Sequence, residues 1–292
     1  MHYLAVDQWM REIPVVANRG RIFDRNGVLL AGNSTAYSVF ARASAVKDAE
    51  GSAALLSAQL GVSYEEIYKK LTDRSRSEVT VVRQTEKSTV EKIEGAALDG
   101  VYYARDNLRI YPYESLACQV LGFTSFDRSG TTGIEGYYDK YLAGKNGEIL
   151  FETDLVGVDL DGATAAYLPA EDGLDVRLTI DYRIQSLAEE VMLRVQTESQ
   201  AKAARCIVLD PNDFSVLAMV NLPSYDLNEI PRNDLSALNK LSRNSLVSDV
   251  YEPGSTFKII TSAANIEERL RGNSPQPLFD IRRSEEHTSE LQ

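Results

Sequence analysis

Residues Tyr251-Glu252-Pro253-Gly254-Ser255-Thr256-Phe257-Lys258-Ile259-Ile260 set a Pro-Gly turn directly before an apolar-periodic run that continues through Ser262, Ala263, Ala264 and Ile266. A turn of this kind feeds a helix and puts Ser255 at its start. The three-residue separation then brings the Ser255 hydroxyl and the Lys258 ammonium to one face, about 5 to 6 Å apart at Cβ. A serine hydroxyl is a poor nucleophile until a neighbour removes its proton, and free N–H groups of a first helical turn help hold a developing oxyanion. Lys258 can take that proton only when neutral, which requires desolvation or adjacent positive charge. Alone, Ser-x-x-Lys is a weak signal, because a serine cap followed one turn later by an outward lysine arises often by chance.

Working back from this segment, Ala204 to Leu209, the turn Asp210-Pro211-Asn212-Asp213 and Val216 to Asn221 read as a hairpin. Before it, Leu174 to Ile180 reads as a strand. Asp181 is a good N-cap for a helix from Tyr182 to about Gln200, with Ile184, Leu187, Ala188, Val191 and Val195 on one face. Glycines cluster from Thr124 to Gly147, the next stretch to Leu178 is polar, acidic and strand-like without strong periodicity, and together they read as a connection between domains. Further upstream, Asn26-Gly27 between two apolar runs predicts a type I′ hairpin. Ala53 to Leu60 and Tyr64 to Leu71 are helical, separated by Gly61, with Ser63 and Glu66 spaced as a capping box. Val79 to Arg83 is strand-like, Ser88 to Leu98 helical with Gly100 as its stop, and Val101 to Ala104 and Asn107 to Tyr111 extended. The expected class is α+β with two domains, at 1–165 and 166–282.

The chain has 292 residues, 43% of them hydrophobic and 25% charged, which is ordinary globular composition. The formal charge of -12 has the wrong sign for a nucleic-acid footprint or an anionic membrane surface. Cys118 and Cys206 have no Cys-x-x-Cys spacing, and both read as small buried apolar residues, with a disulfide as the alternative. No apolar run is long enough to span a membrane, and His2 to Val16 lacks the layout of a signal peptide. The last ten residues, Arg283 to Gln292, follow Ser274-Pro275-Gln276-Pro277 and resemble the in-frame translation of a common sequencing-library adapter; a natural polar tail is the alternative. Setting aside that tail removes one Arg and three Glu, so the charge becomes -10, and His2 is left as the one histidine. Histidine-centred catalysis is therefore not expected.

Taken together, Arg243-Asn244, Val247-Ser248-Asp249 and E-P-G-S-T-F-K-I resemble the active-site segment of penicillin-binding proteins, for which Ser-x-x-Lys is a known signature. R-G-R-I-F-D-R-N-G-V-L-L-A (Arg19 to Ala31) looks like the opening of the class B enzymes' non-catalytic N-terminal domain. Gly130-Thr-Thr-Gly133-Ile-Glu135 resembles that domain's G-x-x-G-x-E. Leu178-Thr-Ile-Asp181 and Ile207-Val-Leu-Asp-Pro211 resemble the start of the transpeptidase domain. The motifs occur in the family's order. The resemblance implies a dimerisation or pedestal domain at 1–165, the front of a β-lactamase-like serine transpeptidase domain at 166–282, and a foreign tail at 283–292.

In function, the resemblance implies a D,D-transpeptidase that cross-links peptidoglycan outside the cell membrane, most like the class B proteins of septal or spore-wall synthesis. Ser255 would be the acyl-forming nucleophile and Lys258 its proton acceptor. It implies no metal and no organic cofactor. The implied partners are peptidoglycan stem peptides, β-lactams that mimic them, and membrane proteins of division or elongation. Arg19, Arg21, Asp24 and Glu135 would order the junction between domains. Tyr111, Tyr113, Phe123, Phe126, Tyr137, Tyr138 and Tyr141 read as core and interface, where half-buried tyrosine is enriched.

The chain also departs from the family. Only residues 259–282 follow Lys258 before the tail, and neither S-x-N nor K-T-G occurs there. The family's membrane-spanning helix, expected just ahead of Leu4 to Arg11, is not in the sequence, so Met1 reads as internal to a longer gene. The expectation is a piece truncated at both ends: its second domain does not fold properly, since an isolated hairpin is marginal in water, and it does not acylate measurably, since the second oxyanion donor and the groups that would lower the Lys258 pKa are absent. A different class of reading makes the N-terminal domain alone functional, as a scaffold for division or cell-wall partners. A serine β-lactamase or sensor is disfavoured by the domain ahead of Ser255.

Overall fold

The computed structural model describes residues 10–76, 78–153 and 159–272. His2, most of the segment from Leu4 to Arg11, the Pro-rich stretch at 274–277 and the adapter-like tail lie outside the described residues. By backbone contacts the chain divides into two units, 1–247 and 248–292.

The first unit is a mixture of helices and three sheets. Strands β1 (Met10–Val15), β6 (Gly147–Thr153) and β7 (Asp159–Leu168) form one antiparallel sheet. A second sheet is ordered β4 (Val79–Thr85), β3 (Leu29–Ala41), β2 (Ile22–Phe23), β8 (Val176–Arg177), and β5 (Val101–Ile110) also pairs with β3. β5 stays in register along its whole length, from Gly32↔Ile110 to Ala41↔Val101, so the two extended segments expected around Arg105-Asp106 are one strand. Helices α1 (Ala49–Leu60), α2 (Tyr64–Thr72) and α3 (Lys87–Gly95) share with these strands a core of Val39, Leu56, Ile67, Leu71, Val81 and Ile93.

Local chemistry sets the ends of these elements. Asp48 Oδ1 accepts the Gly51 N–H at 2.9 Å to start α1, and Gly61, at φ +65°, closes it in the left-handed conformation. Ser63 stands at the N-cap of α2, but its hydroxyl donates to Glu65 Oε2 at 2.6 Å. The expected capping box with Glu66 does not form, because Glu66 pairs with Lys70 one turn on, at 2.8 Å. α3 ends at Gly95, ahead of the expected Leu98, and Ala97 beyond it is left-handed at φ +48°.

The hairpin at Asn26-Gly27 is present, but its turn is not type I′. That type needs two successive positive φ angles, and of Asp24 to Val28 only Gly27 has one, +88°. The Asp24 N–H donates to Val28 O at 2.9 Å, and Asp24 Oδ1 accepts both the Asn26 and Val28 N–H groups at 2.7 Å. The Asp24 carboxylate therefore organises a three-residue loop from inside.

The glycine-rich stretch expected to be a loose connection is packed. Short helix α4 (Cys118–Leu121) leads into it, it holds α5 (Gly133–Tyr137) and α6 (Asp139–Leu142), and glycines in and just before it allow backbones to touch. A Cβ on Gly122 would stand 1.9 Å from Thr132 O, and one on Gly130 1.9 Å from Glu135 O. Ile22, Leu30, Tyr111, Leu121, Phe123 and Leu142 form a second core here, and Tyr225, Leu227 and Leu238 join it from more than 80 residues downstream. Of the seven aromatic positions expected inside, Tyr111 and Phe123 are in this core and Tyr113 and Tyr138 pack against it. Tyr137, at 79% exposure, and Tyr141 face outward because α5 and α6 are short and turn their second faces to solvent, and Phe126 is exposed on the turn ahead of them.

Helix α7 (Tyr182–Ser199) begins at Asp181 as expected, with Asp181 Oδ1 accepting the Arg183 and Ile184 N–H groups. Of the expected strand at 174–180 only Val176–Arg177 pairs, in parallel with β2. α7 packs through Ala188 and Met192 on the hairpin of β9 (Ala204–Leu209) and β10 (Val216–Leu222), while Leu187 and Val195 remain exposed. Helix α8 (Leu235–Ser242) buries Leu238. Both cysteines are free thiols, Cys118 buried and Cys206 half-buried. In the second unit a 3-10 turn, Gly254–Phe257, runs into α9 (Lys258–Leu270).

Candidate active site

Ser255 and Lys258 sit where the turn becomes the helix. Gly254 takes φ +51°, a conformation that glycine adopts without Cβ strain. The Thr256 N–H and hydroxyl both bond back to Pro253 O, the N–H at 3.0 Å. The Lys258 N–H donates to Ser255 O. Ser255 thus lies inside the 3-10 turn, with Lys258 as the first residue of α9, and both side chains are exposed. Among the described residues no hydrogen bond joins the Ser255 hydroxyl to the Lys258 ammonium. Ile259, Ile260, Ile266 and Leu270 are also exposed along α9.

The motif residues of the first unit converge instead on a buried ion cluster. Glu135 on α5 is fully buried and is clamped by two arginines, each 6% exposed. Arg19 Nε donates to Glu135 Oε2 and Arg109 Nε to Oε1, both at 2.7 Å. Arg19 Nη1 reaches Asp139 Oδ1 at 2.7 Å, and its Nη2 donates to Glu135 O at 2.9 Å. Arg109 Nη1 donates to Gly20 O at 2.8 Å, and the Tyr111 hydroxyl donates to Glu135 Oε1 at 3.3 Å. Burial beside the Glu135 carboxylate pushes the Tyr111 phenol up. Two cations and two carboxylates balance, which is the condition for keeping charge inside.

Asp24, fully buried, fastens the first hairpin to α7. Its Oδ2 accepts the Tyr182 N–H at 3.1 Å, and Asn26 Nδ2 donates to Asp181 Oδ2 at 2.8 Å. That bond from Asn26 is the main cause that holds the Asp181 carboxyl below the ordinary range. Arg21 pairs outside with Asp175 at 2.7 Å and lowers its pKa, an exposed contact worth little. Sequence reasoning named Arg19, Arg21, Asp24 and Glu135 but missed Arg109, Asp139 and Glu189. Arg109 reads as an ordinary strand residue, and nothing local marks a charge that pairs with Glu135.

Glu189 on α7 joins two regions of the unit: its Oε1 accepts the Ala117 N–H and Gln185 Nε2, both at 2.7 Å. Burial pushes its carboxyl pKa up. Gln185, fully buried, also donates to Met219 O at 3.0 Å and accepts the Met219 N–H at 2.7 Å, tying α7 to β10. Burial pushes the Cys118 thiol up to about 12, so it is inert packing.

Two family models match the chain: the penicillin-binding protein dimerisation domain over residues 14–178, and the penicillin-binding protein transpeptidase domain over residues 204–281. The chain belongs to the class B penicillin-binding proteins. Within that family it is 36% identical over 268 residues to stage V sporulation protein D of Bacillus subtilis, covering 91% of this chain and 41% of that protein. It is 32% identical to the probable peptidoglycan D,D-transpeptidase PenA of Neisseria gonorrhoeae, over 90% of this chain and 47% of that one. Against peptidoglycan D,D-transpeptidase FtsI of Escherichia coli K12 it is 28% identical, over 85% and 42%. The chain thus spans less than half the length of these class B relatives. Among solved structures, the complex of penicillin-binding protein PBP2 with MreC from Helicobacter pylori shares the fold. The TM-score is 0.67 at 22% identity, covering 88% of this chain and 52% of that one. No helix among the described residues is long and apolar enough to cross a membrane.

Proposed function

We propose that Ser255 is the acyl-forming nucleophile of a peptidoglycan D,D-transpeptidase and that Lys258 accepts its proton. The observation that carries this is the placement of Ser255 and Lys258 across a 3-10 turn at the head of α9, inside the stretch similar to transpeptidase domains. Ser255 Oγ attacks the carbonyl of the penultimate D-alanine, the peptide C–N bond breaks, and D-alanine leaves with the proton delivered through Lys258. An acceptor amine then attacks the ester, and Ser255 recovers its proton as the cross-link forms. A β-lactam opens on Ser255 in the same way but keeps its leaving group attached, so the ester persists. In this reading residues 1–165 are the pedestal and 166–282 the front of the transpeptidase domain, an order supported by the dimerisation-domain match at 14–178 and the transpeptidase-domain match at 204–281. The parent works outside the cell membrane, held by a segment ahead of these residues, and its pedestal binds division or elongation proteins.

The 292 residues by themselves are not expected to acylate, since the hydroxyl and the ammonium both face solvent without bonding to each other. A fluorescent penicillin tests both parts. The gene amplified from its source locus with the sequence beyond Ile281 should give a protein that labels, with mass spectrometry placing the adduct on Ser255, and Ser255→Ala should abolish it. Labelling that survives Ser255→Ala would overturn the assignment. Cell-wall function retained by Ser255→Ala would favour a scaffold role for the pedestal.

A further inference from the structure

We propose that the first unit carries a binding site for a small organic carboxylate, between the region similar to dimerisation domains and the region similar to transpeptidase domains. The site is a hollow of about 370 Å³ walled by Arg109, Tyr111 and Phe126 on one side and Asn228, Glu229 and Arg232 on the other. The downstream wall is fixed in place. Asn228 Oδ1 accepts the Tyr111 N–H at 3.0 Å and its Nδ2 donates to Tyr111 O at 2.9 Å, so the amide pairs with this backbone as a strand would. Arg232 Nη2 donates to Thr124 O at 2.7 Å.

Two cations border this hollow. Arg232 is half-buried and makes no ion pair with any described carboxylate. Its guanidinium lies 4.5 Å from the Phe126 ring centroid and 5.6 Å from that of Phe123. A cation held between rings without an anion is under-compensated, and burial accordingly lowers its pKa. Arg109 is 94% buried, and although Nε and Nη1 are engaged, Nη2 has no hydrogen-bond partner. The charge of Arg109 is already balanced within the Glu135 cluster and its Nη2 is itself buried, so Arg232 supplies the attraction. Guanidinium forks match planar carboxylates, and the bonds are charge-assisted.

The walls also select the class. Leu108, Ile230, Pro231 and the exposed Phe126 ring offer apolar contact for the body of an acid, and the exposed Glu229 carboxylate on the rim repels a second negative charge. A monoanion with an apolar group fits these walls better than a phosphate dianion does.

The test is isothermal titration of the full chain with benzoate, and separately with inorganic phosphate. Benzoate should bind saturably, and Arg232→Gln should weaken it by at least about tenfold, about 1.4 kcal/mol. Phe126→Ala should weaken it less, and Glu229→Gln should tighten it. The Glu229 variant leaves the Glu135 cluster untouched, so the test does not hinge on one substitution that disturbs folding. Absence of saturable binding, equal affinity in Arg232→Gln, or tighter binding of phosphate than of benzoate would each overturn the proposal.

Discussion

Glu135 is a fully buried carboxylate on α5 of the first unit. Both its oxygens accept from arginines that are almost wholly buried, and Tyr111 adds a third donor. Among the described residues, removing its charge leaves Arg19 with Asp139 alone and Arg109 with no carboxylate partner. Breaking a buried pair in this way costs about 3 to 5 kcal/mol, because the uncompensated cation is worse than no pair at all. Glu135→Gln keeps the shape and loses the charge, so a drop of that order in urea-unfolding free energy is expected. A loss under about 1 kcal/mol would mean that the cluster is held by packing instead. The sequence showed Glu135 through its place in G-x-x-G-x-E, and it showed Arg19 likewise. It could not show Arg109, whose partner lies 26 residues away and whose strand pattern carries no signal of burial.

At the level of elements, the contact between α7 and the loop before α4 runs through Glu189, and its sign with pH is opposite to that of most carboxylates. Burial raises its pKa in the folded chain above the unfolded value of about 4.3. Below that pH both states hold the proton and the group is neutral to stability. As pH climbs from there through the folded pKa, the unfolded chain ionises first and stability falls. Glu189→Gln keeps an acceptor for the Ala117 N–H and for Gln185, so it should melt higher than the native chain at neutral pH. The difference should vanish near pH 4, and melting curves across that range check it. Elements with strong local patterns were legible: α7 with its Asp181 cap, the β9–β10 hairpin, and the helix after Ser255. What failed depended on close contacts that local patterning does not mark. The glycine-rich stretch packs because Gly122 and Gly130 admit the backbone at Thr132 and Glu135 a few residues on, and the type I′ turn gave way because Asp24 bonds its own loop from within.

Over the whole first unit, the core that holds Ile22, Leu30 and Leu142 also holds Tyr225, Leu227 and Leu238, so residues from both family-model regions share one interior. Leu142→Ala and Leu238→Ala, one from each family-model region, should each cost about 2 to 5 kcal/mol and lower the same calorimetric transition. Two transitions, each moved by only one substitution, would show that the regions fold separately. The two-domain α+β organisation was legible from motif order, whereas this shared interior was not, since pairing over such distances leaves no periodic trace. The latch between Asp24 and the Tyr182 N–H also has a kinetic side. These partners are 158 positions apart, and closing so long a loop is entropically slow. On a ribosome the socket around Asp24 is made long before the helix that plugs it emerges, so assembly of this joint is expected to be a late event in folding.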